Sequence, residues 1–149
     1  MATIHTAGTE IIRNVQHYEV TDTAATLIVG VQHHIYTILN VTVYAHALGS
    51  AGNPFYLRIK SWNAFAAGSG VHHYLVKQPM QVGETFVWDT KVSFNGFEPT
   101  GVSSTLNTDT EQDAIADQGG SVSNKLDLHS ASSSDRLHVF CTYIDQNNS

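Results

Sequence analysis

The sequence predicts an all-β fold, an antiparallel β-sandwich of jelly-roll type that forms one domain. Six segments of alternating apolar and polar residues occur in the first hundred positions, and turn residues separate them about every ten positions. No segment sustains the periodicity of a helix. A chain of 149 residues has an ordinary single-domain size and can bury one core.

The longest alternating segment covers residues 34–46 and predicts a half-buried strand. The residues expected on one face are Ile35, Thr37, Leu39, Val41, Val43 and Ala45. Those expected on the other face are Tyr36, Ile38, Asn40, Thr42, Tyr44 and His46. Because the second face carries tyrosines, an amide and an imidazole rather than lysines and glutamates, we expect it to contact a partner surface.

Further strands follow from the same alternation and from the turn residues between them. Gly49, Gly52 and Pro54 predict a turn, so the strands on either side of it form a hairpin. The hydrophobic residues Phe86, Trp88, Val92 and Phe94 are expected to share one face of a strand. The predicted strands besides the longest one are residues 10–18, 26–32, 55–62, 71–77, 85–94 and 136–144.

Residues 101–134 have a different composition, rich in Ser, Thr, Asp, Asn and Gly. This composition predicts a long excursion before the last strand, either a loop over the sandwich or an arm that reaches a neighbouring subunit. A helical turn is predicted only at residues 113–117. Both faces of residues 136–144 are largely apolar, which is typical of a central or interface-covered strand.

The charge composition argues against several classes of partner. The formal net charge is −6, only 13% of residues are charged, and no Lys or Arg cluster occurs. Phosphate binding needs several convergent cations, so nucleic acid is not an expected partner. The first nine residues lack the basic and apolar regions of a signal peptide, and no apolar run reaches the length of a membrane span. We therefore expect synthesis in the cytoplasm and no membrane partner.

No residue pattern predicts an enzyme, a metal site or a cofactor. The nine histidines include adjacent pairs at His33–His34 and His72–His73, but neighbours on a strand point to opposite faces. The acidic residues between Asp109 and Asp117 lack the glycine and closing glutamate of an EF-hand. No GxSxG motif is present. Catalytic residues, metal and cofactors are all predicted as none.

The single cysteine, Cys141, lies in a predicted strand with Leu137, Val139 and Tyr143 on the same face. A reactive thiol needs an accessible, electropositive setting, and these neighbours do not provide one. We expect Cys141 to be a buried structural thiol.

Tyr56, Arg58, Lys60 and Trp62 alternate along one predicted strand. Such a stripe suits a protein interface, which is enriched in Tyr, Trp and Arg. It also suits a glycan, with Trp62 and Tyr56 stacked on sugar rings and His72 or His73 donating hydrogen bonds. The candidate interface residues from both predicted surfaces are Tyr36, Tyr44, His46, Tyr56, Arg58 and Trp62.

Two blocks carry a resemblance to a known class of proteins. HIYTILNVTVYAHALGSAGNPFYLRIK (residues 34–60) and VGETFVWDTKVSF (residues 82–94) resemble small β-sandwich virion structural proteins of tailed bacteriophages, especially those of marine and cyanobacterial phages. The shared features are a Tyr-Thr-Ile-Leu strand, a turn rich in Gly and Asn, a further strand, and a later Gly-x-Thr-Phe-Val strand. Residues 101–134 have no counterpart in that pattern.

The resemblance implies a non-enzymatic virion component made in the host cytoplasm. The leading interpretation is a capsid decoration or cement protein that stabilises the head by binding the major capsid protein or other virion subunits. A neck, tail or fiber-type component and a glycan-binding adhesion module remain alternatives. The resemblance also implies a homo-oligomer, with a trimer expected for a decoration protein.

Overall fold

The computed structural model describes residues 8–63, 68–99, 107–118 and 121–148, which form eleven strands and one helix. Within these ranges, the structure contains no helix with the length and apolarity that a membrane span requires. The elements are β1 (Glu10–Val20), β2 (Ala25–Val29), β3 (His34–Ala47), β4 (Pro54–Asn63), β5 (Gly68–Pro79), β6 (Thr85–Trp88), β7 (Val92–Asn95), β8 (Phe97–Pro99), α1 (Asp109–Asp117), β9 (Ser121–Ser123), β10 (Lys125–Ser130) and β11 (Arg136–Asn147).

The strands form two antiparallel sheets that face each other, so the predicted all-β sandwich is confirmed. One sheet has the order β1-β11-β3-β6, and β7 pairs with β3 beside β6. The other has the order β2-β10-β4-β5, and β8 pairs with β9 separately. When β6 and β7 are counted as one interrupted strand, the eight principal strands have the order of a jelly roll, 1-8-3-6 facing 2-7-4-5.

The core lies between the two sheets and is formed by the inward residues of alternating strands. Phe55 and Leu57 of β4 and Leu126 and Leu128 of β10 are fully buried from one sheet. Phe86, Trp88, Val92 and Phe94 pack against the same core, as predicted, although they lie on two short strands rather than one. The inward residues of β11 complete the core: Leu137, Val139, Cys141 and Tyr143.

The structure confirms the predicted environments of β11 and Cys141. β11 lies between β1 and β3, and the Cys141 side chain is 0% exposed. Burial raises the pKa of its thiol to about 12. The thiol is therefore neutral in the folded protein.

The predicted faces of β3 are wrong in its N-terminal part, before Leu39. Thr142 of β11 pairs with Asn40, but the next residue, Tyr143, pairs with Ile38, so β3 contains an additional residue at Leu39. This β-bulge exchanges the two faces, because one extra residue reverses the alternation. Ile38 consequently points into the core together with Val41 beyond the bulge.

Tyr36 is the interface candidate that this bulge removes from the surface. Its side chain is 2% exposed and contacts Phe94 and Tyr143. The phenol oxygen accepts a hydrogen bond of 3.0 Å from the Val31 N–H, so the buried hydroxyl has a partner. Burial, together with the nearby carboxylate of Asp145, raises the pKa of Tyr36 to about 12.

The predicted excursion over residues 101–134 is not confirmed, and it is wrong for its second half. β10 is an inner strand of the second sheet, with β2 on one side and β4 on the other. The predicted turn at residues 113–117 is the second half of α1, whose N-cap is Thr108. Residues 100–106 and 119–120 lie outside the described ranges. β10 is difficult to recognise because its inward face offers only Leu126 and Leu128 as large apolar residues.

The chain segments that follow β2 and β7 meet at a close backbone contact. The Gly30 N–H donates to the Asn124 carbonyl over 2.8 Å, and the Asn124 N–H donates to the Gly96 carbonyl over 2.8 Å. A Cβ at Gly30 would overlap the Gly96 carbonyl, and a Cβ at Gly96 would overlap the Val31 carbonyl. Only glycine fits at both positions.

A single buried carboxylate connects two turns at one end of the sandwich. Asp135 is 0% exposed and accepts hydrogen bonds from the Gly49 N–H at 2.7 Å, the Asn53 side-chain amide at 3.1 Å and the Ser132 N–H at 3.1 Å. The Ser130 hydroxyl donates to Oδ2, the oxygen that also accepts from the Ser132 N–H. The turn between β3 and β4 is thereby fixed to the turn between β10 and β11.

Candidate functional site

Two groups of aromatic and imidazole side chains lie on the outer faces of the sandwich, one on each sheet. We call the first the imidazole patch, defined by Tyr18 of β1, Tyr44 and His46 of β3, and His138 of β11. These strands are neighbours, and His138 pairs directly with Tyr44. The inward neighbours of His138, Leu137 and Val139, are buried, which fixes the outward direction of its imidazole.

The rings of the imidazole patch are packed around His138. The centroid of its imidazole lies 4.0 Å from the Tyr18 ring and 5.0 Å from the His46 ring, and both pairs are stacked. The Tyr44 ring lies 5.6 Å from the same imidazole. Three rings from the two neighbouring strands thus contact the ring of His138, so the patch is packed together without a partner.

One acidic and one basic side chain lie beside the patch. Glu19 Oε1 lies 3.2 Å from His138 Nε2, and Glu19 Oε2 lies 3.4 Å from Arg136 Nε. Glu19 occupies the left-handed region with φ 59°, where the pairing of β1 with β11 becomes irregular. This backbone conformation directs Glu19 toward the imidazole and the guanidinium.

A groove of about 420 Å³ borders the patch. Its walls combine aromatic rings with amide and hydroxyl groups. The aromatic side chains are accessible, since Tyr18 is 73% exposed, Phe140 38% and Tyr44 37%. A volume of this size accommodates a large side chain or a small ligand. The side chains that line it are Gln16, Tyr18, Thr42, Tyr44, His138 and Phe140.

We call the second group the Tyr56 patch, defined by Tyr56 of β4, Tyr74 and Lys77 of β5, and His129 of β10. The His129 ring stacks on Tyr56 with centroids 4.8 Å apart, and Lys77 Nζ lies 5.7 Å from the centroid of the same ring. Tyr74 contacts the edge of Tyr56 at 5.9 Å. His129 and Lys77 come from opposite sides of β4, so the Tyr56 ring has little open face.

Arg58 lies beside the Tyr56 patch and is held by an ion pair. Its Nε lies 2.5 Å from Asp127 Oδ1, and the two side chains are only 15% and 7% exposed. His72 Nδ1 lies 3.4 Å from the same guanidinium. Burial lowers the pKa of His72, and the positive charge of Arg58 lowers it further. Arg58 therefore serves the fold through Asp127, although it lies on the predicted outer face.

The structure divides the candidate interface residues among three places. Tyr36 is in the core, Tyr44 and His46 belong to the imidazole patch, and Tyr56 and Arg58 lie on the other sheet. The Trp62 side chain lies outside the described part of the structure, although its backbone continues β4.

Sequence reasoning missed Tyr18 and His138 as members of a surface. Both lie at outward positions of alternating strands, since Tyr18 is two positions after the outward Gln16 and His138 separates Leu137 from Val139. Recognising them as neighbours requires the pairing of β1 with β11, which joins strands from the two ends of the chain. The alternation was visible in the sequence, but the pairing was not.

The adjacent histidines do not assemble a metal site in the described ranges. His34 Nδ1 lies 2.6 Å from Asp145 Oδ1, and Arg13 lies 3.6 Å from the other oxygen of that carboxylate. Within the described residues, no group of three or more His, Cys, Asp or Glu side chains has an arrangement that could hold a metal ion.

Comparisons with known proteins do not assign this chain to a family. No family model matches the chain, and no curated protein matches it significantly. Among solved structures, it is similar to a Bacillus endospore appendage protein of a family of disulfide-linked pili, at 9% identity and a TM-score of 0.43. That alignment covers 100% of this chain and 97% of the other.

It is also similar to the infectious bursal disease virus VP2 subviral particle, at 8% identity and a TM-score of 0.47. This alignment covers 99% of the present chain but 35% of the viral one, so the chain spans about a third of that protein. A second structure of the same virus, its Gx strain, aligns at 8% identity and a TM-score of 0.44, covering 97% of this chain and 33% of the other. Such identities and TM-scores assign neither family nor function.

Proposed function

We propose that this chain is a non-enzymatic structural subunit of a virion, specifically a capsid decoration protein of a tailed bacteriophage. The observation that carries the proposal is the imidazole patch, an aromatic surface of mutually packed rings on the outer face of a jelly-roll sheet. The two sequence blocks that resemble phage structural proteins support the same class of function.

The patch has the composition of a protein contact surface rather than of an ordinary solvent face. Tyrosine supplies a large contact area and loses little rotamer freedom on binding, and protein interfaces are enriched in it. The rings are already packed against one another, so a partner does not need to order them. The adjoining groove can accept a side chain of a capsid subunit.

The assembly would rely on several weak contacts made at once. A homo-oligomer, for which we propose a trimer, presents the same patch in each copy. Once one copy is bound, the others bind at a high effective concentration, so the oligomer binds more tightly than any single copy. A neck, tail or fiber position in the virion would use the same surfaces.

The glycan-binding alternative receives less support from the geometry at Tyr56. Sugar stacking needs an open aromatic face, but His129 stacks on Tyr56 and Lys77 lies over the same ring. The guanidinium of Arg58 is engaged by Asp127. The Tyr56 patch therefore offers little open ring face for a sugar.

The proposal is tested on purified particles of the virus whose genome encodes this chain. We expect mass spectrometry of purified particles to find the chain in many copies per particle. We further expect the purified wild-type protein to co-sediment with particles stripped of it. A Tyr44→Ala variant should bind about tenfold or more weakly, because a central tyrosine of the contact is lost.

Tyr74→Ala is the matched control, since Tyr74 is an exposed tyrosine of the other sheet. It should bind as the wild type does. Absence of the chain from the particles would overturn the virion proposal. Weaker binding of Tyr74→Ala with unchanged binding of Tyr44→Ala would overturn the assignment of the contact to the imidazole patch.

A further inference from the structure

β1 is a long edge strand whose pairing with β11 is regular from Glu10 to His17 and becomes irregular only near Glu19. It has 11 residues and, within the described ranges, pairs only with β11, so its other edge offers free backbone donors and acceptors. Soluble proteins usually protect an edge with Lys, Pro or a short strand. β5, the other long edge strand, carries Lys77 and Pro79, and β2 has only 5 residues. β1 contains neither Lys nor Pro.

β1 also carries the two most exposed large hydrophobic side chains of the described residues. Tyr18 is 73% exposed and Ile12 is 69% exposed. Both point to the outer face of the sheet, as do Asn14 and Gln16 between them. The one basic side chain of the strand, Arg13, is directed to Asp145 and to the ring of Tyr143. The edge therefore presents two exposed apolar residues separated by two amides.

Ile12 and Tyr18 lie at equal distances along the chain from Val15. An antiparallel pairing of β1 with a second β1, related by a twofold axis at Val15, places Ile12 of each copy opposite Tyr18 of the other. The same register places Asn14 opposite Gln16, so amide faces amide. Arg13 meets His17, but Arg13 is directed to Asp145 and the Nε2 of His17 lies 2.8 Å from the Thr26 carbonyl oxygen.

Neighbouring registers of this pairing are less favourable. An axis at Arg13 brings two guanidinium groups opposite each other. An axis at Asn14 places Ile12 opposite Gln16 and Tyr18 opposite Glu10, so neither apolar side chain gains an apolar partner. Strands adopt the register that brings their apolar side chains together, and here only the axis at Val15, of the three compared, does so.

We propose that β1 pairs with β1 of a second copy of this chain, centred on Val15, and that the two five-stranded sheets become one continuous sheet. The occupant of the edge is a second copy because the exposed side chains complement themselves under a twofold axis. The contact uses the edge of the sheet and Tyr18, the outermost member of the imidazole patch, but not Tyr44, His46 or His138. It therefore holds whether or not the chain is a virion protein.

The register is tested by crosslinking a double variant, Ile12→Cys/Tyr18→Cys, under mild oxidation. The native Cys141 is 0% exposed and does not compete. We expect a covalent dimer on a non-reducing gel. The single variants should give none, because the two copies of one residue lie about 20 Å apart at about 3.3 Å per residue. Equal crosslinking of a single variant, or none in the double variant, would overturn the proposed register.

The contact itself is tested by light scattering, without any cysteine. The wild-type protein should have an even number of copies, two from the β1 contact alone or six where this contact joins two of the proposed trimers. Ile12→Lys should halve the mass because a charge on the free edge opposes strand pairing. Val87→Lys is the matched control, since Val87 is a 57% exposed valine on β6 at the other side of the same sheet. It should keep the wild-type mass. A monomeric wild type, or an unchanged mass in Ile12→Lys, would overturn the proposal.

Discussion

The guanidinium of Arg58 and the carboxylate of Asp127 are 2.5 Å apart on adjacent strands, and both are largely buried. Neither charge has ready access to water, so each depends on the other. Removing one partner of a buried pair leaves an uncompensated charge, which costs far more than loss of a surface ion pair.

We expect Arg58→Met to lower the free energy of unfolding by about 3 kcal/mol, measured by urea denaturation. The double variant Arg58→Met/Asp127→Asn should lose less than the sum of the two single variants, because neither charge then remains unpaired. Lys60→Met, an exposed position of the same strand, should change stability by less than about 0.5 kcal/mol. Equal effects of Arg58→Met and Lys60→Met would contradict the dependence of Asp127 on Arg58.

Asp135 predicts an acid-dependent loss of stability. Burial alone would raise the pKa of its carboxyl, but hydrogen bonds from Ser130, Gly49, Asn53 and Ser132 lower it below the ordinary value of 3.8. The unfolded chain therefore binds a proton more readily than the folded protein does. The stabilisation is complete above the unfolded pKa and is lost as the pH falls through the lower pKa of the folded state.

We expect Asp135→Asn to lower the free energy of unfolding by about 2 kcal/mol near neutral pH, since buried donors lose an ionised acceptor. The difference from the wild type should shrink when urea denaturation is repeated below about pH 4. A difference that stays constant or grows with acidification would show that Asp135 is not ionised in the fold.

Gly30 and Gly96 should tolerate no side chain. A Cβ at either position would overlap a backbone carbonyl, which cannot move aside as a flexible side chain could. We expect Gly96→Ala to lose about 4 kcal/mol or to fail to fold, as judged by thermal denaturation. Gly83→Asn is the control, because Gly83 has φ +85° with open space around it and Asn tolerates a left-handed conformation. A Gly96→Ala variant as stable as this control would disprove the close contact.

Cys141 should be inert while the protein is folded. Thiolates are the species that react with alkylating agents, and burial raises the pKa of this thiol to about 12. We expect iodoacetamide to modify Cys141 only after unfolding in urea, followed by mass spectrometry. Rapid labelling of the folded protein at neutral pH would place the thiol at the surface instead.

Local alternation predicted most of the strands, because inward and outward positions differ in polarity along each of them. The predicted faces of β3 were wrong before the bulge at Leu39, because the extra residue reverses the alternation of inward and outward side chains. Tyr36 was consequently assigned to the surface. Nothing local marks this bulge, since Leu39 is apolar and continues the alternation of Val41 and Val43. β10 was missed because its alternation is short, with only Leu126 and Leu128 as large apolar residues, and lies in a segment rich in Ser and Asp.

The imidazole patch could be predicted only in part for a related reason. Tyr44 and His46 are two positions apart on one strand, so their shared face follows from local sequence. Tyr18 and His138 join them through pairings between the two ends of the chain. Such pairings depend on the whole topology and not on any short segment.

The bridge at Asp135 also has a consequence for the kinetics of folding. It joins residues 86 positions apart, Gly49 and Asp135, and fixes two connections that each pass from one sheet to the other. Ser130 and Ser132 are close to Asp135 in the chain, whereas Gly49 and Asn53 reach it only when the distant connection is in place. Interactions that form after the transition state slow unfolding but hardly affect the rate of folding. We expect the hydrogen bonds of Asp135 with Gly49 and Asn53 to form late and therefore to lengthen the lifetime of the folded subunit.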